Sequence, residues 1–174
     1  MKIITTPMCE DVLRLAGVKE YFVVKPDRIE DADVAVLLSE TKSDIPKVSV
    51  KLNTYTQLYD SILNVCKEFN GNVDEKKLWE IKKYISSNDR KKDYRQSTKV
   101  KVYSNFLKDT ILDMGFSVVE EDYDFIVVPD YMRVDFDMDE KVVVVASHKN
   151  VKKAILERIN ERYEYLEAKL CMKH

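Results

Sequence analysis

The hydrophobic residues of the chain fall into short continuous runs and into longer stripes with helical spacing. Residues 34–38 and 125–128 are continuous apolar runs, and the run at 34–38 is of the kind expected for a strand buried on both faces of a parallel sheet. Residues 21–24, which are aromatic and β-branched, predict a further strand. Between the runs, apolar residues recur three and four positions apart, as at Leu58, Ile62 and Val65, which predicts amphipathic helices. The order of these elements predicts strand-helix-strand-strand-strand-helix.

The same order of elements occurs twice along the chain. In both copies a hydroxyl residue precedes the first helix and a glycine ends it: Thr6 and Gly17 in the first, Ser104 and Gly115 in the second. The sequence therefore predicts an internal duplication, with two similar three-layer or half-Rossmann-like α/β lobes and mostly parallel or mixed sheets. We expect lobes at residues 1–70 and 98–174, separated by a helical and basic connector at 71–97.

An acidic segment stands directly before one buried strand of each copy. Its residues are Glu30, Asp31, Asp33 in the first copy and Glu121, Asp122, Asp124 in the second. Charged residues at a sheet margin keep the strand entrance in water and oppose edge-to-edge pairing. We interpret the segment as a structural marker of the fold.

The predicted connector and the last helix carry the sequence features that suggest partners. Asp74 should cap a connector helix that residues 86–88 end, and residues 90–101 are basic with interleaved tyrosines. Aspartates interrupt that basic stretch, which favours a flexible linker over nucleic-acid binding. The apolar stripe of the final helix, residues 151–170 with Asn150 as its cap, predicts packing on the other lobe or on a protein partner, including a homodimer.

Composition narrows the class of protein. Apolar residues make up 45% of the chain and charged residues 34%, and the net charge is −2, so a basic nucleic-acid-binding composition is excluded. No apolar run approaches membrane-spanning length and no export signal is evident, so the expected location is the cytoplasm, without a membrane. Abundant lysine and glutamate with few glutamines is typical of heat-tolerant organisms, and an AT-rich genome gives a similar bias.

Only three glycines occur in the chain, and each ends a helix or lies in a loop. Neither the dinucleotide fingerprint nor the P-loop can be built from them, so no Gly-rich nucleotide motif exists and the cofactor stays unidentified.

Two loops carry the candidate ligand-binding and catalytic residues. Thr6 follows the first strand and opens a helix, where free backbone N–H groups hold anions, and Ser104 is its counterpart. Cys9 would lie in the first turn of that helix, which favours its thiolate and makes it a weak nucleophile candidate. His148 is the internal histidine that could act as a base, and Asn150 beside it could contact an anion. An ordinary capping loop explains His148 and Asn150, and a buried, unreactive thiol explains Cys9; we favour these structural interpretations.

Acidic residues crowd the segment 130–140. Asp135, Asp137 and Asp139 at alternate positions raise the question of a divalent cation, since such ions prefer carboxylate oxygens. The glycine and distal glutamate of a calcium loop are missing, and the alternation with apolar residues favours a solvated edge strand. No metal site is therefore predicted.

The sequence leaves three functions open. The first is a non-catalytic ligand-binding or assembly protein, which fits the duplication and the lack of a catalytic motif. The alternative is an enzyme acting on a small phosphorylated or carboxylated metabolite at a rim between the lobes, formed by Thr6, Cys9, Ser104 and His148. The third is a nucleic-acid-associated factor that uses residues 90–101.

Overall fold

The computed structural model describes residues 1–137, 140–147 and 154–172. The chain divides into unit 1, Met1–Tyr84, and unit 2, Ile85–His174. Each unit contains one sheet of four strands together with helices. The α/β fold with two similar lobes that the sequence predicts is therefore confirmed.

Unit 1 begins with a short buried strand and a helix of six residues. Its elements are β1 (Ile3–Thr5), α1 (Glu10–Leu15), β2 (Phe22–Val23), β3 (Val34–Leu38), β4 (Lys47–Val50), α2 (Tyr55–Phe69) and the start of α3 (Glu75–Asp89). All strand pairs are parallel and the order across the sheet is β2-β1-β3-β4. Because β3 lies inside the sheet, its central residues are buried, as the continuous apolar run predicts.

Unit 2 repeats this arrangement. Its elements after α3 are α4 (Lys92–Arg95), β5 (Lys99–Val102), α5 (Asn105–Met114), β6 (Ser117–Val118), β7 (Phe125–Pro129), β8 (Val142–Val145) and α6 (Ile155–Leu170). The sheet order is β6-β5-β7-β8, again all parallel, so that each unit places its first strand second in its sheet. Mixed pairing, which the sequence allowed, does not occur between these strands.

The acidic segments have a more specific role than keeping a strand end in water. In unit 1 the backbone N–H of Lys2 donates to Asp33 Oδ2 at 2.5 Å, and the Asp33 N–H donates back to the Lys2 carbonyl at 3.0 Å. In unit 2 the Lys99 N–H donates to Asp124 Oδ2 at 2.8 Å, and the Asp124 N–H returns a bond of 2.8 Å to Lys99. Each aspartate therefore joins the start of the third strand in its unit to the start of the first.

The predicted cap Ser104 and the predicted helix end at Gly115 are confirmed, and Thr54 caps α2 in the same way as Ser104 caps α5. The Thr54 hydroxyl accepts from the Gln57 N–H at 3.1 Å, and the Ser104 hydroxyl accepts from the Leu107 N–H at 3.3 Å. Gly115 ends α5 with a φ of 93°, a conformation that glycine adopts without strain. The predicted start of α1 at Thr6-Pro7 is wrong: a turn closed by the Cys9 N–H and the Thr6 carbonyl precedes the helix, so α1 begins at Glu10.

The predicted break at residues 86–88 is also wrong, since α3 continues to Asp89 and crosses the division between the units. The buried side chain of Asn88 explains the continuation. It donates to the Asp113 carbonyl at 2.8 Å and accepts from Arg95 Nη1 at 2.8 Å, which fixes the last turn of the helix. The boundaries of a separate connector at 71–97 stay a prediction.

Part of the predicted basic linker is helix α4, and its last residue is buried. Arg95 is 3% exposed, forms an ion pair with Glu167 and donates to the Met114 carbonyl at 2.9 Å. The Tyr94 hydroxyl also bonds with Glu167. Arg95 is therefore a structural residue of unit 2, outside any basic surface that nucleic acid could reach.

Helix α6 covers most of the predicted apolar stripe. The side chains of the stripe are already buried within the single chain, as shown by Ile155, Ile159, Tyr163 and Leu166. The start of the predicted helix, with its cap Asn150, lies outside the described residues. Packing of this helix on a protein partner or in a homodimer stays a prediction.

Candidate functional site

A cavity of about 370 Å³ opens in unit 2 between the end of β8 and helix α6. Its volume lies at the small end of the range found for small-molecule sites. The lining residues come from these two elements and the residue pair that follows β8: Val144, Val145, Ala146, Ser147, Arg158, Glu161, Arg162 and Tyr165. The cavity thus lies at the carboxyl end of an edge strand, where parallel α/β sheets commonly bind ligands.

Two arginines on the buried face of α6 line this cavity. Arg158 and Arg162 are one helical turn apart, so both side chains leave the same face of the helix. They are 8% and 6% exposed, whereas most arginines lie at the protein surface. The Arg162 guanidinium carbon also lies 5.3 Å from the centre of the Phe106 ring, within reach of a cation–π interaction.

Burial affects the acidity of Arg162. The pKa of Arg162 is lowered to about 10, chiefly by loss of solvation; Tyr163 opposes the shift and the neighbouring charge of Arg158 adds to it. Arg162 is still protonated at neutral pH. Two guanidinium groups and one carboxylate, that of Glu161, stand among the described lining residues, so this part of the lining carries a net positive charge.

The opposite wall of the cavity is apolar and partly open. Val144 and Ala146 are exposed residues of the strand and its continuation, and the ring of Tyr165 stands beside them. The Tyr165 hydroxyl donates to the Val144 carbonyl at 2.9 Å and so holds the ring against the strand. The site therefore combines buried positive charge on one side with hydrocarbon surface on the other.

The corresponding corner of unit 1, between the end of β4 and helix α2, has different residues. When the buried faces of α2 and α6 are matched, Leu58, Ile62 and Val65 pair with Ile159, Tyr163 and Leu166. Arg158 and Arg162 then correspond to Gln57 and Ser61.

Hydrogen bonds tie this corner of unit 1 together. The Ser61 hydroxyl accepts from the Lys51 N–H at 3.0 Å and donates to the Lys51 carbonyl at 3.1 Å, which joins α2 directly to the end of β4. The Gln57 side chain accepts from the Asn53 N–H at 3.0 Å. In unit 2 the residue that follows β8, Ala146, instead faces the cavity with Arg162.

The structure places the predicted residues of the first loop in the core of unit 1. Cys9 is fully buried and Thr6 is 7% exposed. Helix α1 has six residues, and its N-terminal cap is Cys9 itself. A nucleophile must reach its substrate, so this placement does not favour Cys9, and its catalytic role and the anion contact of Thr6 stay predictions.

The other predicted residues belong to unit 2. The Ser104 hydroxyl is used as the cap of α5, as described above. His148 and Asn150 lie outside the described residues, so the base and the anion contact assigned to them stay predictions. The rim that would combine Thr6, Cys9, Ser104 and His148 stays a prediction as well.

The acidic segment after β7 is irregular where the sequence predicted an edge strand. Asp135 and Asp137 lie in no strand, and Asp139 lies outside the described residues. Glu140 accounts for the difference: it accepts from the Asp137 N–H at 3.0 Å and from the Tyr123 hydroxyl at 2.6 Å, which raises the pKa of Tyr123 to about 12. Within residues 1–137, 140–147 and 154–172, no group of three His, Cys, Asp or Glu side chains is placed to hold a metal ion.

Sequence reasoning missed Arg158 and Arg162, although a signal was present. Both fall on the apolar stripe of α6, next to Ile155 and Ile159, where a charged residue is out of pattern. An arginine pair on the core-facing side of a helix indicates either an internal ion pair or a ligand site.

Comparison with known proteins gives the fold. No protein-family model matches the chain, and no curated protein sequence matches it. Among solved structures, a Zn(II)-bound variant of AdcAII from Streptococcus pneumoniae has a TM-score of 0.63 at 10% identity, covering 98% of this chain and 99% of that one. The laminin-binding protein Lmb of Streptococcus agalactiae, a bifunctional protein with adhesin and metal transporting activity, has a TM-score of 0.64 at 14% identity, covering 98% and 99%.

FpvC of Pseudomonas aeruginosa, in complex with Ni²⁺, has a TM-score of 0.58 at 10% identity and covers 98% of this chain and 97% of that one. Identities this low show a shared α/β fold and nothing about the ligand. Among the described helices of the present chain, none is long and apolar enough to span a bilayer. The cytoplasmic location stays a prediction.

Proposed function

We propose that the protein is a non-catalytic binding protein for a small anion and that the binding site is the cavity between β8 and α6. The observation that carries this proposal is the pair of buried arginines, Arg158 and Arg162, lining a cavity of about 370 Å³. Guanidinium groups that line a cavity can hold an anion through charge-assisted hydrogen bonds.

The similar structures support binding in preference to catalysis. AdcAII and FpvC are described with Zn(II) and Ni²⁺, and Lmb with metal transport, so the fold carries ligand binding elsewhere. The cargo proposed here is different in charge. The described part of the chain offers no cluster of metal ligands, and its cavity is lined by arginines, which repel a cation.

The composition of the lining favours binding over an enzyme. Neither a histidine nor a cysteine is among the eight described lining residues, and arginine stays protonated and cannot serve as a base near pH 7. What these residues can do is hold, orient and partly desolvate an anion. An enzyme acting on an anionic metabolite remains the alternative, with His148 as its base.

Isothermal titration of the full chain with acetate and with inorganic phosphate tests the proposal. We expect saturable binding of at least one of them and a loss of about tenfold or more in affinity on Arg162→Gln, because a hydrogen bond to a charged group contributes about 1.5–3 kcal/mol. Arg162→Lys keeps the charge but loses the planar fork, so we expect an intermediate affinity.

Lys108→Gln is the matched control, since it removes one positive charge from an exposed position of unit 2 that does not line the cavity. Its affinity should equal that of the unchanged protein. Thermal unfolding of each variant establishes that it is folded. If folded Arg162→Gln and Lys108→Gln bind equally well, or if neither anion binds at all, the proposal is wrong.

A further inference from the structure

Strand β2 of unit 1 leaves two neighbouring apolar side chains in solvent. Phe22 is 61% exposed and Val23 is 42% exposed, and β2 lies at one edge of its described sheet. An edge strand is a template for pairing with another strand, above all where it exposes hydrocarbon. In the matching edge strand of unit 2, β6, Ser117 and Val118 are half-buried, and the Ser117 hydroxyl donates to the Gln96 carbonyl at 2.6 Å. The shared fold therefore does not require an exposed apolar edge.

The backbone of β2 directs hydrogen-bonding groups to this free edge. The Val24 N–H donates to the Thr5 carbonyl at 2.8 Å, so the backbone groups of Val24 face β1. Since these groups alternate in direction along a strand, those of Phe22 also face β1, whereas those of Tyr21 and Val23 point away from it. A further strand can therefore pair with Val23 without disturbing the pairing of β2 with β1.

One antiparallel register pairs β2 with the same strand of a second copy. With Val23 opposite Val23 of the second copy, the two valines exchange both backbone hydrogen bonds across a two-fold axis. Phe22 then lies opposite Val24 of the second copy, and Tyr21 lies opposite its Lys25. The contact is self-complementary, because each of these pairs occurs twice.

This register would cover the exposed Phe22 side chain. Val24 packs against a small apolar cluster on one face of the sheet, formed by Ile4, Ala35 and Leu37. Phe22 leaves the strand on the same face, because it is two residues from Val24. Opposite Val24 of a second copy, Phe22 would form a non-hydrogen-bonded pair, the kind that brings side chains closest together.

The charges around β2 favour the same register. Loss of solvation raises the pKa of Tyr21 and the carboxylate of Glu10 raises it further, so Glu10 lies close to the Tyr21 ring. Lys25 is exposed, and opposite Tyr21 of a second copy it would approach this carboxylate. The neighbouring register, with Phe22 opposite itself, would instead set Lys19 against Lys25, two like charges.

We propose that β2 is the contact surface of a symmetric dimer, in which the β2 strands of two copies pair antiparallel with Val23 on the two-fold axis. The proposal is independent of the anion site, which belongs to unit 2. Its surface also differs from the helix at 151–170, through which the sequence predicts a homodimer. Two short strands bury less than the roughly 1,200 Å² of a stable interface, so the dimer should be weak and form at high protein concentration.

Sedimentation equilibrium of the full chain at micromolar to millimolar concentration tests the proposal. We expect the average mass to rise with concentration from that of the monomer towards twice that mass. Val23→Pro removes the N–H that pairs across the axis, at an outward position where an edge strand tolerates proline. Association should weaken at least about tenfold, since two backbone hydrogen bonds of the dimer are lost.

Val118→Pro is the matched control. Val118 is the outward residue of the edge strand β6, because the Val119 N–H donates to the Val100 carbonyl at 3.0 Å. Its replacement should leave association unchanged. Thermal unfolding of both proline variants establishes that they are folded.

Lys25→Glu tests the charges through an exposed side chain that the folded monomer does not need. It sets a carboxylate against Glu10 of the second copy, so association should weaken about fivefold. Glu10→Lys in the same chain exchanges the two charges and should restore association.

The possible outcomes decide the proposal. A mass that stays that of the monomer at every concentration overturns it, and so does equal weakening by both proline variants. Association that Val23→Pro leaves unchanged also overturns it and assigns the contact to another surface, such as the helix at 151–170. Association that Val23→Pro and Lys25→Glu weaken, that Val118→Pro leaves intact and that the double charge exchange restores supports it.

Discussion

The buried polar side chains of the two units differ in kind, although the two sheets have the same topology. In unit 1 the described buried polar side chains are four hydroxyls, those of Thr5, Thr6, Thr54 and Ser61. In unit 2 three arginines take their place beside one amide and one hydroxyl: Arg95, Arg158, Arg162, Asn88 and Thr110. The shared fold therefore does not itself demand buried charge.

The two kinds of buried polar group differ in what their burial costs. A hydroxyl satisfies its hydrogen bonds locally, as Ser61 does with the Lys51 backbone. A buried guanidinium group is costly and often adds nothing to stability over an apolar residue. Arg95 pairs with Glu167 and belongs to the structure of unit 2. Arg158 and Arg162 line the proposed binding site.

The largest effect should come from removing the structural arginine. Arg95→Ala removes the ion-pair partner of Glu167 and the donor to the Asn88 amide oxygen. We therefore expect the free energy of unfolding to fall by about 3 kcal/mol, the low end for a broken buried pair because Glu167 is partly exposed. Urea unfolding followed by circular dichroism measures the change.

Arg90→Ala is the control for that experiment, because Arg90 is an exposed cation close by in the sequence. Its expected change is within about 0.5 kcal/mol. If Arg95→Ala unfolds at the same urea concentration as Arg90→Ala, Arg95 does not have the structural role assigned to it among the three buried arginines of unit 2.

Converting the corner of unit 2 to the residues of unit 1 tests the functional half of the comparison. The double variant Arg158→Gln, Arg162→Ser places the polar pair of α2 at the matching positions of α6. We expect the affinity for the anion that binds more tightly to fall by at least about 100-fold, since two charge-assisted hydrogen bonds are lost. Calorimetric titration gives the ratio, and unchanged affinity would contradict the correspondence between the two corners.

The hydroxyl of unit 1 should matter for stability alone. Ser61→Ala removes two bonds to the Lys51 backbone, so we expect the free energy of unfolding to fall by about 1 kcal/mol and anion affinity to stay unchanged. Ser97→Ala, in which an exposed hydroxyl is removed, should change the unfolding midpoint less. A loss of anion affinity on Ser61→Ala would show that unit 1 takes part in binding.

The smallest effect is a pH dependence at the alkaline end. Because the pKa of Arg162 is lowered to about 10, its charge is complete at neutral pH and is lost as the pH rises through about 10. Binding of a carboxylate, which stays ionised, should therefore weaken about twofold at pH 10 relative to pH 8.

Arg158, Glu161, Tyr163 and Tyr165 surround Arg162, so the pH profile must be compared with that of Arg162→Gln. In that variant the step should disappear. The expected effect on the free energy of unfolding has the opposite sign. A base whose pKa is lowered in the folded state loses its buried charge as the pH rises, so the folded state should gain stability as the pH rises from about 10 towards 12.5. If the loss of binding at alkaline pH persists in Arg162→Gln, it belongs to another titrating group.

Much of the fold follows from the sequence because local patterns and long-range pairing agree. The apolar run of β3 can only be a buried strand, and Thr54, Ser104 and Gly115 mark helix ends through bonds between residues close in the chain. The break predicted at residues 86–88 is wrong because Asn88 is held by Asp113 and Arg95, partners distant in the sequence.

The candidate site could not be predicted from the sequence for the same reason. A cavity exists only once β8 and α6 are packed, and these elements are separated along the chain. Arg158 and Arg162 did stand out against the apolar stripe of α6. Reading them as a site required knowing that the stripe is buried within the chain.

The turns before β3 and β7 repeat the same backbone geometry in the two units. Asp31 and Asp122 both adopt left-handed backbone angles, with φ of 55° and 54°, two positions ahead of the aspartate that joins the strands. An identical substitution can thus be made twice in one polypeptide against two different backgrounds. Because the turn geometry is the same in both units, a difference between the two effects on stability would measure the contribution of the residues around each turn.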